Sequence, residues 1–165
     1  MQYFDVSDSE IHPAYNAANL HNNIGILIMP ENIPPFLALP ISLPPDNIIS
    51  SPMYTYYGFG ITDPSDFNSI PDIVKMGHTN SLPQEACIAI FGGQLITNGT
   101  WCGGQFMSSL CHGDQGGPVI HVLLNYLVGL SNFWMNPCNS GNPDVFVRVD
   151  YHITWINTII AAPIS

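Results

Sequence analysis

Positive charge is the property that this chain has least of. Lys75 and Arg148 are its only basic residues, and they stand against twelve acids, so the formal net charge is −10 at pH 7. A surface that binds nucleic acid needs clustered basic residues to neutralise backbone phosphates. The sequence therefore excludes nucleic acid as a partner.

Long hydrophobic runs are also missing. No apolar stretch approaches the roughly 20 residues that a membrane-spanning helix requires, so no membrane association is predicted. The first eight residues lack both the basic and the apolar region of a secretory signal, and we expect no signal peptide in this chain. The six histidines show no spacing typical of zinc ligands. We therefore predict neither a metal nor another cofactor.

Proline and glycine, by contrast, are abundant. Fifteen prolines and fourteen glycines divide the chain into short runs rich in Val, Ile, Tyr and Phe. This punctuation is typical of an all-β sandwich or barrel. The clearest predicted strands are residues 24–29, 119–122 and 145–149. The C-terminal segment is an exception, because Ile153, Ile156 and Ile160 recur at helical spacing and predict a helix that ends before Pro163.

The most informative motif is Gly113-Asp114-Gln115-Gly116-Gly117-Pro118. It resembles the nucleophile loop of the trypsin/chymotrypsin serine proteases, Gly-Asp-Ser-Gly-Gly-Pro, with Gln115 at the place of the serine. A glutamine amide cannot be deprotonated to attack a carbonyl as an activated serine hydroxyl can. The resemblance therefore implies a protease scaffold that lacks its nucleophile.

Further motifs carry the same resemblance in the same order along the chain. Leu20-His21-Asn22-Asn23-Ile24 is similar to the segment that holds the catalytic aspartate, and Tyr57-Gly58-Phe59-Gly60 to the turn that opens the second barrel. The remaining matches are residues 40–44, like the linker between the barrels, and residues 141–149 with 155–156, like the closing strand and helix. The form Asn-Pro-Asp-Val-Phe over residues 142–146 favours the invertebrate brachyurin branch of the family.

The resemblance implies an all-β fold of the trypsin-like double β-barrel type, closed by a C-terminal α-helix. It assigns residues 1–45 to the last strands of the N-terminal barrel and the linker, and residues 46–165 to the C-terminal β-barrel and the helix. Since the rest of the first barrel has no counterpart, we expect the chain to expose an apolar face. Either a partner covers this face or the chain is a truncated gene product, and we favour the second interpretation.

The four cysteines allow three disulfide connectivities. The resemblance selects Cys87–Cys102 and Cys111–Cys138. Paired cysteines imply an oxidising compartment, so we expect a secreted, extracellular protein. Four reduced core cysteines are the alternative interpretation, because cysteine is readily buried as a small hydrophobe.

Two further features concern disulfide bonding and glycosylation. The resemblance places Tyr54 and His121 where a third bridge is common in the family, and both cysteines are absent. Asn98-Gly99-Thr100 is a glycosylation sequon, which fits an extracellular protein. We therefore name Asn98 as a candidate glycosylation site.

The catalytic site that the resemblance implies is degenerate. In the active template a serine attacks, a histidine takes its proton and an aspartate fixes the tautomer of the histidine. Here Gln115 stands at the serine position and Asn23 at the aspartate position, and the family's histidine lies upstream of the matched segment. We interpret the six histidines of this chain as ordinary surface or loop residues. No catalytic residue is therefore expected to be functional.

Other positions of the site follow from the resemblance. The backbone N–H groups of Gly113 and Gln115 correspond to an oxyanion hole, which we interpret as retained loop geometry with nothing bound. The positions that correspond to the specificity pocket are Ser109, Asn132, Trp134 and Asp144. Because the family usually has a glycine at the position of Trp134, we expect its indole to obstruct the cleft.

Asp114 raises a structural question. In active relatives this aspartate pairs with the N-terminal ammonium that zymogen cleavage releases, and no Ile-Val-Gly-Gly start is present here. A buried carboxylate without a partner is costly. We therefore expect Asp114 to turn outward or to be protonated, and the loop over residues 110–115 to be rearranged or disordered, as in a zymogen.

We consider three functions from different classes. The first is a pseudoenzyme, a catalytically inactive homologue of a serine endopeptidase that binds a protein partner such as a protease, a protease substrate or an inhibitor. The second is a family member labelled as an endopeptidase, this chain being a truncated or decayed copy. A third alternative is a small-molecule or glycan-binding barrel that reuses the blocked cleft.

Overall fold

The computed structural model describes residues 3–45, 53–105 and 108–161 of the chain. Its elements in chain order are β1 (Asp8–Ile11), β2 (Gly25–Ile28), β3 (Tyr54–Gly58), β4 (Lys75–Ser81), α1 (Gln84–Phe91), β5 (Thr100–Gln105), β6 (Pro118–His121), β7 (Leu127–Phe133), β8 (Asp144–Arg148), a 3-10 helix (Asp150–His152) and α2 (Ile153–Ile160). Short strands dominate, as the spacing of proline and glycine predicts. The predicted C-terminal helix is confirmed by α2.

Six strands close into an antiparallel barrel in the order β3-β4-β5-β8-β7-β6, and β6 pairs back to β3. The centre of the barrel is aromatic: Phe146 is fully buried and stacks on Trp101 with ring centroids 4.6 Å apart. Large aromatic side chains dominate core energetics because each removes about 150–250 Å² from water. The other members of this cluster are Tyr54, Tyr56, Leu110, Val119 and Val128.

Strand β8 is covered on both of its faces. Phe146 belongs to the cluster inside the barrel, whereas Val145 and Val147 pack in two other clusters. Val145 lies with Cys102 in a cluster beside α1, and Val147 lies with Ile156 in a cluster beside α2. A strand buried on both faces has a continuous apolar sequence instead of an alternating one. This explains the unbroken run Val-Phe-Val near the C-terminus.

Helix α1 departs from the prediction, which placed a helix only at the C-terminus. It begins after Pro83 and ends at Gly92, whose φ of +85° is accessible to glycine without strain. Cys87 is its buried residue, and Gln84 donates from Nε2 to the carbonyl of Thr97 at 2.8 Å. After two polar residues the segment is wholly apolar, so it shows no helical stripe from which periodicity could identify it.

Both disulfides join the pairs that the resemblance implies. Cys87–Cys102 ties α1 to β5, and Cys111–Cys138 ties the nucleophile loop to the segment after β7. Tyr54 and His121 lie directly opposite each other on β3 and β6, with ring centroids 5.5 Å apart in an edge-on arrangement. A ring contact thus stands where the family commonly has a third bridge.

Strands β1 and β2 form a separate two-stranded antiparallel sheet. Its β1 strand is exposed throughout, and Ile11 and Leu27 are each 66% exposed. Whether the barrel itself exposes the face that it would share with the rest of the first barrel stays a prediction. Residues 46–52 lie outside the described ranges, so the boundary between residues 45 and 46 stays a prediction. Within the described residues, no helix is long and apolar enough to cross a lipid bilayer.

Candidate functional site

The nucleophile loop depends on its glycines. Gly113 has φ +101° and Gly116 has φ +79°, values that L side chains rarely adopt. A Cβ on Gly113 would also lie 3.2 Å from the backbone of Gly60. The loop is closed by the backbone bond from the N–H of Asp114 to the carbonyl of Cys111 at 3.0 Å. The Gly-rich motif therefore fixes where residue 115 stands.

Gln115 is exposed, and it folds back onto this loop. Its Oε1 accepts a hydrogen bond from the backbone N–H of Gly113 at 3.3 Å. One of the two donors of the implied oxyanion hole is thus engaged by the chain's own side chain. Oxyanion holes act through donors that are preorganised for a developing charge. An incoming oxygen would first have to displace the amide of Gln115.

Strand β7 connects the two degenerate positions of the implied triad. Asn23, just before β2, donates from Nδ2 to Oδ1 of Asn132 at 2.8 Å. Asn132 lies on β7 and is 3% exposed, and its Nδ2 has no hydrogen-bond partner in the part of the chain that the structure describes. The neighbouring Ser131 makes two backbone hydrogen bonds of 2.8 Å with residues 116–117. Asn23 and the nucleophile loop therefore bond to neighbouring residues of β7.

Asp114 turns into the molecule. Its Oδ1 accepts a hydrogen bond from the N–H of Gly60 at 2.8 Å, and its Oδ2 accepts one from the N–H of Cys111 at 2.9 Å. A Cβ on Gly58 or on Gly60 would overlap this carboxylate. The expectation that Asp114 turns outward is therefore wrong. The physical reason is that two amide donors compensate for its burial.

A cavity of about 220 Å³ adjoins the Asp114 carboxylate, and Lys75, Tyr56 and Ser108 also line it. The hydroxyl of Tyr56 donates to Oγ of Ser108 at 2.9 Å. Burial raises the pKa of Tyr56 well above its ordinary value, so the phenol stays a neutral donor. An acid, an amine and hydroxyls around one cavity suit a small polar group. No motif predicted this cavity, because its lining comes from separate segments of the chain.

Two of the predicted pocket positions are in direct contact. Asp144 is 1% exposed, its Oδ1 accepts a hydrogen bond from Oγ of Ser109 at 2.8 Å, and its Oδ2 accepts one from the N–H of Leu110 at 3.0 Å. These bonds compensate for the burial of the carboxylate. Both oxygens of Asp144 are thus engaged within the fold.

Trp134 reaches from the end of β7 to the nucleophile loop. It packs on the cluster of Ile61 and the disulfide Cys111–Cys138. Its indole contacts the ring of His112 edge-on with centroids 5.3 Å apart, and His112 contacts Phe67 at 5.3 Å. These three rings form an aromatic row (Phe67, His112, Trp134) beside the loop. We predicted an obstructing role for Trp134, but no sequence motif identified Phe67 or its contact with His112.

A family model described as Trypsin matches residues 1–156 of the chain. The chain belongs to the trypsin family. One relative is a brachyurin from Leptuca pugilator, 28% identical over an alignment of 158 residues; the match covers 92% of this chain and 66% of the brachyurin. Another is a snake venom serine protease homolog from Bothrops jararacussu, 33% identical over an alignment of 135 residues; the match covers 80% of this chain and 50% of that protein. The chain thus spans half to two thirds of these relatives.

Solved structures share the trypsin-family fold. Neuropsin, a serine protease expressed in the limbic system of mouse brain, superposes with a TM-score of 0.84 at 24% identity, over 96% of this chain and 72% of that chain. The structure of GrC gives a TM-score of 0.86 at 20% identity, over 98% of this chain and 70% of that chain. Both show the fold alone, and they confirm the predicted fold class. The relation to the brachyurin branch stays a prediction.

Asn98 is exposed in the loop before β5, and its glycosylation stays a prediction. Residues 3–45, 53–105 and 108–161 contain no group of three His, Cys, Asp or Glu side chains suited to a metal ion. Lys75 and Tyr56 at the cavity, and Phe67 beside the loop, were missed because none lies in a recognisable motif.

Proposed function

We propose that the chain is a catalytically inactive member of the trypsin family that acts by binding a protein partner outside the cell. The observation that carries the proposal is Gln115, whose side chain hydrogen-bonds to the N–H of Gly113 at the implied point of attack. An amide is not a nucleophile that a neighbouring base can activate. The partner would be a protease, a protease substrate or an inhibitor.

The surroundings of Gln115 support this proposal. Asn23 is neutral and bonds to the amide of Asn132, so it offers no carboxylate to an imidazolium. Among the described residues, neither Asn23 nor Gln115 hydrogen-bonds to a histidine ring. Trp134 packs against the nucleophile loop beside the cleft. One relative, at 33% identity, carries the name serine protease homolog.

Two further observations support an extracellular location. Both disulfides are closed, and disulfides persist in oxidising compartments such as the secretory pathway. A brachyurin and a snake venom serine protease homolog are among the relatives that the chain matches. Expression through a secretory host should therefore give protein without free thiols, which a thiol-reactive dye would measure.

The decisive experiment treats the purified chain with a fluorophosphonate probe and a panel of fluorogenic peptides, beside an active trypsin-family protease as the positive control. We expect neither labelling nor turnover. The variant Gln115→Ser should also stay unlabelled, because among the described residues no histidine ring hydrogen-bonds to position 23 or 115. Labelling of Gln115→Ser alone would assign the loss of activity to this residue. Labelling of the unmodified chain at any residue would overturn the proposal in favour of an endopeptidase.

A further inference from the structure

The loop between β3 and β4 exposes an unusual amount of apolar surface. We call residues 62–74 the acidic loop. Four of its large hydrophobic side chains face solvent, and the exposed fractions are Phe67 65%, Ile70 65%, Ile73 68% and Val74 49%. Contiguous apolar patches on a protein surface mark interaction sites more often than chance. The loop therefore has the apolar part of a binding surface.

Within this loop the charged residues are all acidic, and the exposed Lys75 follows it at the start of β4. Asp63, Asp66 and Asp72 lie within residues 62–74, and no lysine or arginine does. All three acids are exposed. Hydrogen bonds from Ser65 lower the pKa of Asp63, which keeps this carboxylate ionised. Apolar and negative groups thus alternate over a short stretch of surface.

The acidic loop is attached to the candidate site. The N–H of Ile61, at the start of the loop, donates to the carbonyl of His112 at 2.9 Å. Phe67 of the loop contacts His112, and His112 contacts Trp134, with 5.3 Å between centroids in each pair. The aromatic row therefore continues the surface of the loop up to His112 in the nucleophile loop.

We propose that the acidic loop and the aromatic row together bind an extended, arginine- or lysine-bearing segment of a partner protein beside the nucleophile loop. The proposal rests on the proposed function, since it names the chemistry of the partner that the inactive site recognises. Long basic side chains lay their alkyl stems on apolar surface and extend their charge to carboxylates. Guanidinium groups also stack on aromatic rings.

Charge complementarity identifies the occupant. The whole chain has a net charge of −10, so an acidic partner would be repelled at every approach. Of the two basic residues in the chain, Arg148 pairs with Asp150, and Lys75 is the single positive charge next to the loop. A second copy of this chain would bring the same negative charge to the loop. A basic polypeptide supplies the opposite charge together with apolar stems, and it therefore fits both parts of the surface.

The test measures binding of an octapeptide of alternating arginine and alanine by titration calorimetry, with an octapeptide of alternating glutamate and alanine as the reference. We expect the arginine peptide to bind and the glutamate peptide not to bind. Affinity should fall when ionic strength rises from about 50 mM to about 300 mM, because exposed charges are screened over a Debye length. The protein used is the full chain with its disulfides closed.

Matched variants separate local recognition from overall charge. The triple variant D63N/D66N/D72N should weaken binding about tenfold, because it removes three exposed charge pairs. Asparagine keeps the side-chain oxygen that accepts the bonds from Ser65 and Asn68. The control D5N/D8N/E10Q removes the same charge from the exposed N-terminal segment, and it should change affinity less than about twofold. Phe67→Leu, which keeps the apolar volume and removes the ring, should weaken binding about threefold.

Equal losses in the two triple variants would show attraction by net charge alone and would overturn the proposal. Binding of the glutamate peptide, or no binding of the arginine peptide to the unmodified chain, would overturn it as well. If the triple variant melts at a lower temperature, the single variant Asp72→Asn replaces it, and a loss of about twofold is expected. Fluorophosphonate labelling would overturn the proposed inactivity and leave this binding result standing.

Discussion

The barrel and the N-terminal sheet consist of similar short strands, yet they differ in what covers them. In the barrel every strand has two neighbours, and Tyr54, Val119 and Phe146 are fully buried. In the two-stranded sheet each strand has one partner, and β1 is exposed along its whole length. Two strands alone are marginally stable in water. Closure of the barrel, more than strand composition, is therefore what makes the larger region stable.

The sheet depends on its junction with the barrel. Ile24, just before β2, is 7% exposed and packs with Val149 and Ile156. The ring of His12 contacts that of Trp155 on α2, with centroids 4.9 Å apart. Contacts with the C-terminal part of the chain thus hold residues 12–24 in place. Substitutions inside the barrel should therefore lower the free energy of unfolding most, substitutions at the junction less, and substitutions on the two-stranded sheet hardly at all.

The largest effect is expected for Phe146→Ala. Phe146 is fully buried and stacks on Trp101, so its loss leaves a cavity in the aromatic centre. The free energy of unfolding should fall by about 3–5 kcal/mol in a chemical denaturation experiment. Leu27→Ala on the outer sheet is the matched control, and it should cost less than about 0.5 kcal/mol because Leu27 is 66% exposed. Similar losses in the two variants would contradict the comparison.

Removal of a disulfide should have the next largest effect on the free energy of unfolding. Exchanging Cys111 and Cys138 for alanine should lower the free energy of unfolding by about 2–4 kcal/mol, since the bridge restricts the unfolded chain. Its cysteines are 27 residues apart, against 15 for Cys87–Cys102. Loop-closure entropy should therefore make Cys111–Cys138 more stabilising than Cys87–Cys102 by about 0.5 kcal/mol. Denaturation of the two double variants measures both values. A larger loss for the shorter loop would show that local packing outweighs chain entropy.

Much of the barrel could be predicted from the sequence. Runs such as residues 145–149 are apolar and bounded by glycine and proline, which gives strands directly. The helix α2 has a clear 3.6-residue period. The pairing of the cysteines required the family resemblance, because four cysteines permit three connectivities. Local pattern thus determined the elements, and the resemblance determined how they are joined.

Details of the site could not be predicted in the same way. The direction of Asp114 depends on the N–H of Gly60, 54 residues away in the sequence. The bond from Gly113 to Gln115 is local, yet it depends on a positive φ at Gly113 that no composition reveals. Helix α1 lacked an amphipathic period. Contacts made by the folded chain, rather than residue type, decide these features.

The smallest effect is expected from a change of pH, which should alter the stability of the junction between the two-stranded sheet and the barrel. His152 is 2% exposed, its Nδ1 lies 2.7 Å from the carbonyl of Arg148, and its Nε2 lies 3.1 Å from Oδ1 of Asn22. Burial lowers the pKa of His152 and outweighs the hydrogen bond to the carbonyl of Arg148, which raises it; the neighbouring His12 lowers it further, and Asp150 raises it.

Because this pKa is lower in the folded chain, the unfolded chain takes up the proton first. The stability contributed by a neutral His152 is therefore complete above about pH 6.5 and is lost as the pH falls from there to the folded pKa. Hydrogen exchange should show reduced protection over residues 12–24 at about pH 5.5 relative to about pH 7.5. The variant His152→Gln cannot titrate at this position, and its protection should change less over the same range. Equal changes in both proteins would assign the effect to His12 or to the carboxylates, and the junction would not depend on the neutral form of His152.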